Sequence, residues 1–249
     1  MYTRPVKSEV TGSGVMVRPV SARSALIRIL IAADSPTMTS QQICAATTAA
    51  GYPEATVRVA VSRMVAAGEL VRARRVYTLA PHLRARRVDL LAPRTLPWQG
   101  DWEQVVITAT GRPAADRAAL RATLLSLRLA ELREGVWMRP ANLARDLPDD
   151  LGDATIVLRT RAVDDPVSLC ARLWPLTDID RRARELLEAI ETADPAARFT
   201  TVCAGLDLLT TDPALPSELR PAGWAVDALR ETTTAYLAWF QELSRGTGD

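Results

Sequence analysis

The stretch from Tyr52 to Leu79, YPEATVRVAVSRMVAAGELVRARRVYTL, constrains the fold most. Pro53 stands where a helix begins, at a position whose amide has no partner to lose. Gly68 stands where that helix ends, suited to a left-handed cap. Between them Val57, Val61, Met64 and Val65 recur at helical spacing and form one apolar stripe. The opposite face carries Thr56, Arg58, Ser62 and Arg63, with Ala55 and Val59 as small or apolar neighbours. Such a face suits a DNA major groove. Arginine forks onto guanine, a hydroxyl bonds a base edge or phosphate, and a small apolar group touches a thymine methyl. Two β-prone runs follow, Leu70 to Val71 and Val76 to Leu79, with Arg72, Ala73, Arg74 and Arg75 between them. That tip can reach backbone phosphates beside the groove. The expected DNA-binding residues are therefore Thr56, Arg58, Val59, Ser62, Arg63, Arg72, Arg74 and Arg75.

An ordinary amphipathic helix and hairpin with a solvated charged face has the same pattern. Three features favour the DNA reading. Another helix precedes through a tight turn, the hairpin follows at once, and the charge of the N-terminal third is lopsided. Net charge is only +2, but residues 1–94 hold 14 basic and 5 acidic residues, while residues 95–249 hold 17 basic and 24 acidic. A basic first third is the electrostatic footprint of a polyanion binder. Every basic residue but Lys7 is arginine, a bias that composition alone can produce, so placement counts for more than abundance.

With 249 residues, 48% hydrophobic and 24% charged, the chain has the make-up of a soluble globular protein of two or three domains. No apolar run approaches the roughly 20 residues that span a bilayer. The start, MYTRPVKSEVTGSG, lacks the apolar core of a signal peptide, so a cytoplasmic location is expected. Cys44, Cys170 and Cys203 are scattered among apolar neighbours and read as buried free thiols.

In order, residues 1–20 read as a disordered arm. Residues 21–80 read as a winged helix-turn-helix: a core helix from Ser21 to about Ala33, a second helix capped by Thr39 with Gln42 at the capping-box position, then the third helix and hairpin. Residues 81–97 read as a linker helix that contains His82, the one histidine. Residues 98–165 show a strand from Gln104 to Thr110, a helix over 114–130, a strand at Val136-Trp-Met138, a short helix, and a strand from Thr155 to Thr160. That order implies a ferredoxin-like α/β sandwich. Residues 166–249 read as a helical C-terminal domain. The fold class is thus α+β, with a winged helix, a ferredoxin-like middle domain and a helical end.

Five segments in this order resemble the PaaX family of bacterial transcriptional regulators. They are SARSALIRIL from Ser21, VRVAVSRMVAAGEL from Val57, WQGDW from Trp98, GVWMRP from Gly135 and TDPALPSELRPAGW from Thr211. The resemblance implies a winged helix, a middle domain similar to Cas2 proteins and a helical C-terminal domain. It also implies a homodimer that represses catabolic genes by binding operator DNA. The best-known members are released by phenylacetyl-coenzyme A, so an acyl-coenzyme A effector is the implied ligand. Two departures stand out. The wing between Leu70 and Tyr77 is shorter than is usual in the family, and no motif marks a coenzyme A site.

No residue pattern calls for catalysis or a cofactor. There is no phosphate loop, and Gly12-Ser-Gly14 lacks the third glycine of a dinucleotide site. One histidine excludes HExxH and argues against a Ser-His-Asp triad. Asp146, Asp149, Asp150 and Asp153 could hold Mg²⁺, but a solvated loop or helix cap accounts for them better. Cas2-like nucleases carry an acidic residue at the end of the first strand, where this chain reads Ile107-Thr-Ala-Thr-Gly111. A metal-dependent nuclease on the middle domain is the rival reading, and a scaffold whose winged helix binds protein is a third. Trp174, Trp224, Tyr236, Trp239 and Phe240 are candidates to line an effector pocket, with Arg181, Arg182 and Arg184 to meet its phosphates. Core aromatics and a solvated arginine face explain the same residues.

Overall fold

The computed structural model describes residues 9–10, 16–17, 20–32, 37–81, 83, 93–145, 147, 151–152 and 154–246. The acidic cluster Asp146, Asp149, Asp150 and Asp153, His82, and most of the expected arm and linker helix lie outside them.

The elements in chain order are β1 (Glu9–Val10), β2 (Met16–Val17), α1 (Ala22–Ala32), β3 (Thr37–Thr39), α2 (Ser40–Ala49), α3 (Glu54–Ala66), β4 (Leu70–Ala73) and β5 (Val76–Leu79). They continue with β6 (Asp101–Ile107), α4 (Ala114–Ser126), β7 (Ala130–Arg133), β8 (Val136–Pro140), β9 (Thr155–Arg161), α5 (Pro166–Leu173), α6 (Leu176–Thr192), α7 (Pro195–Leu209) and α8 (Ala225–Gly246). A 3₁₀ turn, Ser217–Leu219, precedes α8. Two compact units result. One holds Met1–Ala92, Arg181–Thr210 and Ala225–Asp249, and the other Pro93–Asp180 and Thr211–Trp224.

The first unit contains the winged helix. Thr39 caps α2 as its sequence requires: its hydroxyl accepts from the Gln42 amide at 3.2 Å, and the Gln42 side chain accepts from the Thr39 amide at 2.9 Å. Gly68, at φ +70°, closes α3. Its amide donates to the Val65 carbonyl at 3.1 Å and the Glu69 amide to that of Met64 at 2.9 Å, the paired closure of a left-handed helix end. The strands form an antiparallel sheet in the order β3-β5-β4. β3 was not expected. Three residues are too few to show a period, and Thr37–Thr39 is held as a strand by pairing with Thr78, Tyr77 and Val76. In the expected arm, Glu9–Val10 and Met16–Val17 pair as short strands, and Val17 is buried.

The expected separate C-terminal domain differs from what is found. α8 packs on α1, α2 and α7, and Phe199, Cys203 and Phe240 join Leu26, Ile29, Leu30, Ile43, Val57 and Met64 in one core. Phe199 meets the Tyr52 ring edge-on at 6.3 Å and Phe240 at 5.3 Å. Tyr52 donates its hydroxyl proton to the Val20 carbonyl at 2.7 Å. Burial pushes the Tyr52 and Tyr236 phenols up to about 12, so both stay neutral parts of this core.

The second unit carries an antiparallel four-stranded sheet in the order β7-β8-β6-β9, the ferredoxin-like arrangement. Val105, Leu120, Leu124, Leu129, Trp137 and Leu151 form its core. The helix expected over 114–130 ends at Ser126, and Ala130–Arg133 is an additional strand. Pairing with β8 overrides the leucine pattern there. The end of the expected linker helix is extended instead, since Leu96 donates to the Asn142 carbonyl at 2.7 Å and Thr95 bridges Leu143.

The segment 211–224, expected to be a connection between C-terminal helices, belongs to this sheet unit. Arg128 donates to the Asp212 carbonyl, and Asn142 donates to that of Ala214 at 2.9 Å. Behind these bonds lies Arg139, fully buried, donating to Asn142 at 2.8 Å and to the Pro140 carbonyl at 3.0 Å, with Glu103 4.0 Å away. Burial lowers the Arg139 guanidinium to about 9 against the opposing pull of Glu103, so it remains charged at neutral pH.

Candidate nucleic-acid interface

α3 turns two faces in opposite directions. Val57 and Met64 are buried and Ala60, Val61 and Val65 half-buried, so the apolar stripe seats the helix. Thr56, Arg58, Val59, Ser62 and Arg63 are exposed together on the other side. The Arg58 side chain is 77% exposed and pairs with Glu54 one turn back. Exposed pairs of this kind contribute about 0.3–0.5 kcal/mol, so a phosphate or guanine can take Arg58 over at little cost.

The wing is a hairpin with the two-residue turn Arg74–Arg75, flanked by the pair Ala73 and Val76. Arg72 lies directly across from Tyr77, with its guanidinium 5.8 Å from the ring centre. Stacking of this kind limits the rotamers of a long side chain and leaves its donors pointing outward. Arg74 and Arg75 are exposed, and Arg74 holds a left-handed backbone at φ 57°. At the other end of the helix bundle, Arg23 forks onto Glu69, with one bond at 2.8 Å. That bond ties the start of α1 to the start of the wing.

All eight expected DNA-binding residues therefore sit on α3 or the hairpin of one unit and all are exposed. The candidate effector residues are dispersed. Trp174 and Trp224 are buried in the second unit. Trp174 lines a cavity of about 440 Å³ with Trp137, Arg121 and Leu173, and Trp224, Arg181 and Arg184 are not among its walls. Arg181 and Arg182 pair with Glu185 on their own helix, the first at 2.7 Å. Tyr236 and Phe240 serve the first unit's core, while Trp239 is exposed. Among the described residues no group of His, Cys, Asp and Glu could hold a metal ion, and no helix is long and apolar enough to cross a membrane. Sequence reasoning missed the buried set Glu103, Arg139 and Asn142, with Arg145 half-buried beside Glu103, because nothing in a strand pattern marks which of its charges will face inward.

A helix with one exposed polar face, a tight turn before it and a hairpin after it define a winged helix-turn-helix class of protein. Residues 95–162 match the PaaX protein central Cas2-like domain. Among solved structures, the uncharacterized protein Rv0674 from Mycobacterium tuberculosis shares 36% identity and a TM-score of 0.79, over 91% of this chain and 98% of that one. Comparison with curated proteins gives no match. The chain belongs to the PaaX family.

Proposed function

We propose that the protein is a cytoplasmic transcriptional repressor without enzymatic activity. In this reading it binds operator DNA as a homodimer and is released by a small-molecule effector. The observation that carries the reading is the exposed face of α3, with Thr56, Arg58, Val59, Ser62 and Arg63 flanked by the arginines of the wing. Family membership supports it, because PaaX regulators repress catabolic genes as dimers. A dimer also fits this reading: one recognition helix reads one half-site, and a twofold pair spaced by about 10 base pairs per turn restores specificity.

The test is salt-dependent binding to the DNA upstream of the protein's own gene. Specific, salt-sensitive binding without cleavage is expected. Arg58→Ala should cost about 1–3 kcal/mol in specific binding, as expected for loss of a base-reading fork. Unchanged operator affinity would place the reading face elsewhere, and cleavage in Mg²⁺ would favour the nuclease instead. Light scattering checks the dimer. Titration of phenylacetyl-coenzyme A into the protein–operator complex checks whether the family's effector applies.

A further inference from the structure

A cavity of about 400 Å³ opens between α2, α3 and the wing. Ile43 and Val57, both buried, and Val61 and Val65, half-buried, give it apolar walls. The exposed guanidiniums of Arg58 and Arg72 also line it, one from the reading helix and one from the wing. The space is a half-open groove, lined also by Ser40, Glu54 and Ser62. Its volume falls within the few hundred Å³ typical of small-molecule sites. Duplex DNA presents phosphates and base edges, which answer Arg58 and Arg72 but leave apolar walls unmatched.

We propose that this cavity binds a small apolar anion, its hydrocarbon body against Ile43, Val57, Val61 and Val65 and its charge on Arg58 and Arg72. Because Arg58 and Arg72 belong to the DNA face, the bound anion and DNA exclude each other by direct competition. The proposal rests on the DNA reading for its regulatory part and on the cavity alone for its binding part. Glu54 also lines the space and holds Arg58 in the free protein. The anion therefore displaces one weak surface pair, and Arg72 stays prepositioned by Tyr77.

Cys44 gives a handle on the site. It lines the cavity and is half-exposed, whereas Cys170 and Cys203 are buried with thiols pushed up to about 12 by burial. N-ethylmaleimide should therefore modify Cys44 selectively and fill the space without a mutation. The probe is anilinonaphthalene sulfonate, an apolar anion whose fluorescence rises when it leaves water. With the full-length protein we expect one saturable site per chain, weakened at least tenfold by Cys44 alkylation and by Val61→Phe. We also expect the apparent Kd for upstream DNA to rise linearly with probe concentration, without a plateau. Fluorescence indifferent to both Cys44 alkylation and Val61→Phe would overturn the cavity as the site. A plateau in the apparent Kd, signifying a ternary complex, would overturn direct competition. Probe binding that is lost on alkylation, in a protein that binds no duplex, would remove the DNA reading and leave the cavity standing.

Discussion

Two stretches of this chain, residues 53–79 and 113–139, are built alike, apart from a bulge between Glu131 and Arg133 that shifts the register of the second hairpin. Each begins with an extended proline, Pro53 or Pro113, followed by a helix of 13 residues, α3 or α4. Each helix ends with the same pair of bonds. Gly68 and Glu69 donate at 3.1 and 2.9 Å to Val65 and Met64, and Arg128 and Leu129 donate at 2.9 and 3.1 Å to Leu125 and Leu124. Each goes on to a strand, a two-residue turn and a second strand. What differs is the left-handed positions. The helix ends use Gly68 and Arg128, and the turns use Arg74 and Gly135. Of these two arginines in a strained conformation, Arg128 has a task, holding the Asp212 carbonyl. The strand contexts match as well: β4 and β7 are edges of their sheets, and β5 and β8 are each flanked on both sides. The local frame is thus indifferent to function, and the first stretch differs in its turn, Arg74–Arg75 against Glu134–Gly135, and in an outer helix face that carries Thr56, Arg58, Ser62 and Arg63.

The comparison breaks most severely in the cores. Phe199 is fully buried and packs between Tyr52 and Phe240, far from α3 in sequence. Phe199→Ala should destabilise the first unit by about 3–5 kcal/mol. Urea unfolding and operator binding measure this. Leu124→Ala, in the second unit's core, should cost about 2–5 kcal/mol without reaching the reading face directly. If Phe199→Ala leaves stability and DNA affinity intact, the winged helix stands without its C-terminal helices and the grouping described above fails.

Much of this was legible in the sequence and some was not. The apolar stripe of α3, the Thr39 and Gln42 cap and the Gly68 closure are short-range effects, and each appears where the spacing puts it. The exposed set Thr56, Arg58, Val59, Ser62 and Arg63 follows from the same stripe by subtraction. β3 and β7 are strands because of partners elsewhere, and periodicity over three or four residues cannot report a partner. The attachment of α8 to the winged helix is of the same kind. Tyr236 and Phe240 look like any apolar aromatics, and only the fold decides which core they complete. Arg139 was invisible for the opposite reason, since strand alternation predicts a face but not that a charge will be tolerated on the inner one.

A smaller effect comes from exchanging the two helix ends. A Cβ added at Gly68 meets nothing within 4 Å, so Gly68→Arg should cost only the left-handed backbone, about 1–2 kcal/mol. The reverse exchange, Arg128→Gly, relieves that strain but loses a charged donor to the Asp212 carbonyl, an interaction contributing about 1.5–3 kcal/mol. It should bring no gain in stability. Thermal unfolding of the two variants measures the asymmetry. A clear rise in Tm for Arg128→Gly would mean that the bond to Asp212 contributes nothing, and the match between strain and task would lose its best case.

The smallest expected effect concerns Arg74, the other arginine with a positive φ. The turn it begins needs no side chain there, and glycine is the residue such hairpin positions favour. Left-handed backbone costs a non-glycine residue about 1–2 kcal/mol, and glycine returns about 0.5–1 kcal/mol of that through the freedom of its unfolded chain. Arg74→Gly should therefore stabilise the protein by about 0.5 kcal/mol, a rise in Tm of a degree or two for a chain of this size. If Arg74 meets a phosphate, the same variant should bind every duplex more weakly and lower the salt slope of binding by about one unit. Arg74→Lys should keep the slope, since a phosphate contact needs charge rather than a fork. A more stable protein with weaker, less salt-sensitive binding is the signature of strain kept for function. Arg74→Gly with unaltered affinity would mean that the strain serves no DNA contact. A loss confined to one base position would make Arg74 a base reader, and the wing would then belong to the specificity of the protein and not to its general grip.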